Sequence, residues 1–420
     1  MTRDWSRRAL LASLGTLPLA GCGGDGAESP TPGSPTPTPT ESPTATLTET
    51  QTETPTPTET PTEPQPPSTP SGTPTRPERI DSSWPMPAHD AGLSNATDAA
   101  PGPTDLIGTL WRIRHGASLS RPVVADGTVF VGAADGTVLA LSARSGSERW
   151  RRSVGSPTAA PWVVGDRLYI PTDGAVVSLA ISDGSQQWRK PTPDRAAVLM
   201  ASHGVYWIAN GEPPSVVSLT LADGSEHWRT DIGVPWIPHL FASDETVFVS
   251  TGTKSNQPWE LATGTGDVKT RPQGPGADFP SERFFRDGTV YAVEPFFGSV
   301  QPSSGNIPVP GGMQAFGLSG GLDRVYLSTE AAEGSGLYAL PLSSGVSGWR
   351  VQMDLAEVTR PVVAGECVLL HTGDALRCFD PGDGAERWAY PGDRIGRDIA
   401  VADDLVFASM GDSVRAYRPP

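Results

Sequence analysis

Few residues of this chain could do chemistry, and their spacing argues against most of it. Among 420 residues there are three Cys and six His. The cysteines are Cys22, Cys367 and Cys378, so no two are vicinal. None of His89, His115, His203, His227, His239 and His371 stands at short metal-ligand spacing from another His or from a Cys. Asp-Gly pairs such as Asp126-Gly127, Asp135-Gly136 and Asp223-Gly224 offer one carboxylate per loop, where a calcium loop needs several. No Gly-Lys-Ser/Thr loop and no Gly-x-Ser-x-Gly elbow occurs. The sequence therefore predicts no catalytic residue, no metal ligand and no cofactor. The net charge is −16, and from Ile80 onward 38 Asp and Glu outnumber 26 Lys and Arg, of which only Lys190, Lys254 and Lys269 are lysines. No basic stripe is present to meet phosphates, which excludes nucleic acid as a partner. A Lys-poor acidic chain is typical of a high-salt or high-GC source.

Cys22 is the cysteine with a reactive setting. Residues 1–22 read as a targeting segment: Arg3, Arg7 and Arg8 precede a short apolar run over 9–20. Ser6-Arg7-Arg8-Ala9-Leu10-Leu11 resembles a twin-arginine export signal, and Leu19-Ala20-Gly21-Cys22 resembles a lipobox. Cleavage before Cys22 and acylation of its thiol would hold the protein at the outer face of the cytoplasmic membrane. An ordinary signal peptide with an incidental Cys is the other reading. Residues 23–79 are rich in Thr, Pro and Glu, with almost nothing apolar to bury, and are expected to be a disordered tether. Its prolines favour an extended form of roughly 3 Å per residue. The same composition fits an O-glycosylated stalk or a bare spacer.

What must carry the remaining residues is a repeat. Residues 120–151 read as four short strands, over 122–125, 128–133, 137–142 and 148–151, broken at Asp126-Gly127, Asp135-Gly136 and Ser145-Gly146. Gly and Asp accept the positive φ of tight hairpins, so each pair marks a reversal. Four such strands cannot bury both faces alone and need copies of themselves. The ending Gly-x-x-x-Trp recurs at Trp150, Trp188, Trp228, Trp349 and Trp388, and Trp111 stands one period earlier. The successive spacings from Trp111 are 39, 38, 40, 121 and 39 residues. The long one equals three periods, with Trp-less copies near Val268 and Ile307. A period near 40 with four strands per copy predicts an all-β propeller of eight four-stranded antiparallel blades over residues 80–420.

The two ends of that region complement each other. Residues 105–114 carry Trp111 on a last-strand pattern without three strands before it, while 398–417 supply three strands without a fourth. The N-terminal strand is expected to complete the last blade and close the ring, leaving no open edge. Cys367 and Cys378 fall on neighbouring strands of the seventh copy. Export gives them an oxidising setting, so a disulfide and a pair of small buried thiols both stand. A two-residue turn at Gly373-Asp374 puts them diagonal; a shifted register puts them opposite, the placement expected to approach bridging distance. The middle copies are the least regular, at 211–215, 252–258 and 294–298, departures that either neutral drift or a partner surface would explain.

Val129-Phe-Val-Gly with Asp135-Gly-Thr-Val-Leu-Ala-Leu141 and Ser145-Gly-Ser-Glu-Arg-Trp150 resembles the PQQ-like repeat, found in quinoprotein dehydrogenases and in envelope lipoproteins of the BamB type. The lipobox, the segment around Trp84 and the eight copies resemble the second group. That resemblance implies that Trp111, Trp150, Trp188, Trp228, Trp349 and Trp388 pack between neighbouring blades. It implies a monomeric, non-enzymatic propeller anchored through Cys22, offering a rigid surface to envelope proteins. The dehydrogenase branch would require a vicinal Cys pair, Ca²⁺ ligands and a catalytic Asp, none of which can be matched here. A small-ligand or quinone- or metal-dependent enzyme using the central funnel is the alternative.

Overall fold

The computed structural model describes residues 80–90, 93–157, 159–193, 198–201, 203–209, 213–233, 239–250, 258–271, 282–286, 289–293, 299–302, 307–308, 314–321, 323–330, 335–343, 346–353, 359–391 and 398–420. All belong to one compact unit, Gly72–Pro420. The described residues are all β in their regular structure and form eight sheets, named I to VIII here in chain order of their first strands. Sheet I comprises Val123–Ala125, Thr128–Gly132, Thr137–Ser142 and Glu148–Ser153. Its turns fall where the Asp-Gly and Ser-Gly pairs placed them. Asp126 and Gly127 both take positive φ, 47° and 63°, as a two-residue hairpin of the tightest type requires.

Sheets II to VI follow with the same four-strand order. They run from Trp162–Val164 to Gln186–Pro191, Val198–Ala201 to Glu226–Asp231, His239–Ala242 to Val268–Thr270, Glu282–Arg286 to Ile307–Pro308, and Gln314–Gly320 to Trp349–Gln352. The two Trp-less copies thus keep a last strand at Val268 and Ile307. Sheet VII runs from Val362–Ala364 to Glu386–Pro391. It departs from the four-stranded antiparallel expectation, because Ala96–Thr97 adds a fifth strand parallel to Val362–Ala364. Sheet VIII joins Asp398–Ala402, Leu405–Met410 and Ser413–Arg418 to Gly108–Arg114. Gly108–Arg114 pairs antiparallel with Ser413–Arg418, with Trp111 opposite Ala416.

Burial explains the hydrophobic pattern. Val123–Ala125 and Thr128–Gly132 are buried at every position, whereas in Glu148–Ser153 only Trp150 is buried. Inner strands have a neighbouring sheet on each face and so read as unbroken apolar runs; outer strands face water and keep one anchor. First strands of successive sheets touch, as in VIII and I, I and II, III and IV, and VI and VII. One regularity has no counterpart in the turn code. The pairing of third with fourth strand slips by one residue beside the anchor in sheets I, II, III and VII, and at Trp111 in sheet VIII. Such a bulge twists the outer strand and re-aims its side chain toward the next sheet.

Candidate functional site

Two constellations on this scaffold are built from side chains that hydropathy alone does not explain: the tryptophans between sheets, and the segment before the first repeat. Each repeat tryptophan reaches into the following sheet. Nε1 of Trp150 donates to Ile181 O at 2.8 Å, Trp188 to Leu221 O at 3.0 Å, and Trp228 to Thr263 O at 2.8 Å. Trp111 donates to Ala143 O at 2.8 Å and Trp349 to Pro381 O at 2.9 Å. In each case the acceptor lies three residues before a turn glycine, and the indole lies flat against that glycine. A Cβ on Gly146 would come within 2.8 Å of Trp111, and one on Gly184 within 2.6 Å of Trp150. Those glycines also sit at φ of 70° and 69°, so two independent constraints fix the residue. Inside its own sheet the indole meets a second-strand aromatic: Phe130 with Trp150, Tyr169 with Trp188 and Tyr206 with Trp228, at centroid distances of 5.8, 5.7 and 5.6 Å. Trp388 has no repeat turn ahead of it. Its Nε1 donates to Pro103 O at 2.7 Å, in the segment that leads into Gly108–Arg114.

Residues 80–90 and 93–103 form the second constellation. Backbone N–H groups of Asp81 and Ser82 donate to the Asp403 carboxylate at 3.3 and 3.0 Å. Trp84, fully buried, exchanges two 2.8 Å backbone bonds with Val124 in the first strand of sheet I. Val163 N, in the first strand of sheet II, donates to Pro85 O at 2.8 Å. The chain then turns through His89, which donates to Met86 O, and Leu93, which donates to Asp90 O; Asn95 N closes the turn onto Ala88 O at 2.8 Å. It returns along other first strands. Gly320 N of sheet VI donates to Ser94 O, Val363 N of sheet VII to Asn95 O, and Gly365 N to Thr97 O. Gly102 N finally donates to Asp403 O at 3.1 Å, back where the segment began. His89, Leu93 and Asn95 all hold positive φ.

The other sequence-derived residues are placed as follows. Arg7, Arg8 and Cys22 lie outside the described residues, as do 211–212, 252–257 and 294–298. Cys367 and Cys378 are joined by a disulfide with Cα atoms 5.7 Å apart. Cys378 faces Leu369, so the pair is diagonal. The expectation that only opposed residues come near bridging distance is thereby corrected: the local twist brings diagonal Cα atoms close. His115 bonds the Asp135 carboxylate at 2.8 Å across a turn. Among the described residues no three His, Cys, Asp or Glu side chains gather as a metal site would need. A cavity of about 430 Å³ opens beside Pro87, Arg121, Ala133 and Pro157 and is lined mainly by small side chains and backbone. Apart from Glu148, an outer-strand acid lowered by its bond to Arg151, the perturbed acids are turn acids. Thr220 and the N–H of Ser225 pull Asp223 down to about 2, and the N–H of Ser185 lowers Asp183. Burial pushes Tyr169 and Tyr326 up to about 12, which marks them as packing residues.

Residues 108–209 match the family model described as outer membrane protein assembly factor BamB. None of the curated proteins matches the chain in sequence. Among solved structures, BamB from Moraxella catarrhalis superposes with a TM-score of 0.55 at 16% identity, covering 74% of this chain and 98% of that one. A computationally designed protein, Ika8, gives 0.60 at 13% identity over 74% and 99% of the two chains. Quinohemoprotein alcohol dehydrogenase from Comamonas testosteroni gives 0.56 at 12% identity over 80% and 81%. At such identities the superpositions speak for the fold. Together with the repeats they show a β-propeller fold, and over residues 108–209 the chain is similar to the BamB family model with its PQQ-like repeats. The described residues do not fit the quinone of the dehydrogenase branch. The two propeller cysteines are 11 residues apart and bonded to each other, not vicinal.

Proposed function

We propose that this protein is an eight-bladed propeller, closed by its N-terminal strand and anchored by lipid on Cys22, that serves envelope proteins as a non-catalytic scaffold. The match of residues 108–209 to the BamB model carries the reading. The eight sheets support the blade count. Closure is supported by the pairing of Gly108–Arg114 with Ser413–Arg418 and by Trp388 reaching Pro103. The scaffold role follows from rigidity: Trp-to-glycine contacts hold sheets at fixed spacing, so surface loops are displayed without a moving part. The lipobox at 19–22 and the tether over 23–79 support attachment to the outer face of the cytoplasmic membrane.

The reading is tested by chemical crosslinking of the full chain in its native membranes, followed by affinity capture and mass spectrometry. Discrete envelope proteins should be captured, and Cys22→Ser should lose them by leaving the membrane fraction. A chain that captures no protein and oxidises alcohols after addition of quinone and Ca²⁺ would replace the scaffold with the enzyme.

A further inference from the structure

We propose that the axis of this propeller is a strand-accepting groove filled by the chain's own residues 80–103. The argument starts from the free edges of the sheets. Within its own repeat the first strand of each sheet pairs with the second on one side only, so the N–H and C=O groups of its other edge need partners from outside that repeat. That edge faces the axis if the sheets form a ring, and in this sense the inference rests on the reading above. Such edges recruit an extended peptide by adding a strand, as in many peptide-recognition sites. Residues 80–103 do this twice, in opposite directions.

The outgoing leg is antiparallel to the first strand of sheet I, through the reciprocal bonds of Trp84 and Val124. The returning leg is parallel to the first strand of sheet VII, with Ala96 beside Val363 and Thr97 beside Ala364. First strands of the repeats run the same way, so an antiparallel leg followed by a parallel one is a hairpin that travels along the axis and back. Its two ends meet at one rim, where Asp403 binds Ser82 through its carboxylate and Gly102 through its carbonyl. Its turn, closed by Asn95 N on Ala88 O, stands at the other. The legs are packed as well as bonded. Ser82, Trp84, Met86 and Ala88 are buried in alternation on the way out, and Ser94, Asn95, Ala96 and Thr97 are all buried on the way back. Asn95 adds a side-chain bond to Pro361 O. Contacts reach five sheets, VIII, I, II, VI and VII. At those five sheets the peptide-binding edge is already taken, so ligands of that part of the ring meet it at its rims and outer faces.

Hydrogen exchange of the full chain, read by mass spectrometry, tests this. The amides of Trp84, Val124, Val163, Val363 and Gly365 should exchange at least about a thousandfold more slowly than those of residues 23–79. Trp84→Gly should release the outgoing leg, speeding exchange at Val124 and Val163 at least about a hundredfold while leaving residues 108–114 protected. Residues 80–103 exchanging like the tether while 108–114 stay protected would overturn the groove and leave the ring standing. Unprotected residues 108–114 would instead overturn the ring. A Trp84→Gly chain that fails to fold leaves the wild-type pattern to decide.

Discussion

A repeat tryptophan does three jobs with one side chain. It fills the gap between sheets, caps a carbonyl of the next sheet with Nε1, and fixes a glycine there. Trp188→Ala should cost about 3–5 kcal/mol in chemical unfolding, since an indole only 8% exposed leaves a cavity. Trp188→Phe keeps most of the volume but leaves Leu221 O only the Tyr169 hydroxyl at 3.1 Å as donor, a loss of about 1 kcal/mol. Gly224→Ala tests the other half of the contact: its Cβ would lie 2.8 Å from Trp188 at a φ of 71°, so it should destabilise by a similar route. The tryptophans were legible from their spacing. Their partners were not, although the signal was present, because Gly and Trp four residues apart belong to contacts with different neighbours. Asp223 belongs to the same turn. Its carboxyl is lowered in the fold, so its contribution is present above the unfolded value of 3.8 and is lost as pH falls toward about 2. The exposed site limits the size of the effect. Lowered Asp183 and Asp380 act in the same direction, so the melting temperature should drop as the pH is taken below about 4. Asp223→Asn should make that drop shallower.

At the scale of elements, strand boundaries were read closely wherever Asp-Gly or Ser-Gly turns occur, because those residues are chosen by φ and not by packing. Val123–Ala125 differs from its expected range by one residue, and Thr137–Ser142 matches its own. The fifth strand of sheet VII escaped notice. Ala96–Thr97 is two residues long, and its pairing partner is set by where residues 80–103 lie, not by any local periodicity. A trace was nevertheless readable: Trp84, Met86 and Ala88 alternate with Pro85 and Pro87, the period of a strand with one buried face. The cysteines show the opposite limit. Their strands were assigned correctly, but whether a diagonal pair can bridge depends on twist, which no spacing reports. In sheet VII, Cys378 stands opposite Trp388, the place Ala140 holds opposite Trp150 in sheet I. The bridge thus lies beneath a tryptophan contact. Cys378→Ser should lower stability by about 2–3 kcal/mol under oxidising conditions and much less under reducing ones, measured by urea unfolding with and without reductant.

For the whole molecule, the strand Gly108–Arg114 matters more than its seven residues suggest. It completes sheet VIII, sets Trp111 against Gly146 in sheet I, and follows the Pro103 carbonyl that accepts from Trp388 in sheet VII. Three sheets therefore meet through one short stretch whose pairing partner lies almost 300 residues away. Closing such a contact carries a large loop entropy, but only logarithmically in length, so the gain from three buried interfaces exceeds it. Deleting residues 105–114 should lower the melting temperature by more than 15 °C or abolish the cooperative transition, because an open edge and the lost packing of Trp111 together exceed ~5 kcal/mol. Deleting an equal length of the Thr- and Pro-rich stretch, residues 40–49, should leave the transition within about a degree, since nothing there is expected to pack. Equal effects of the two deletions would mean that Gly108–Arg114 is dispensable to the sheet and that the repeats hold together as an open array.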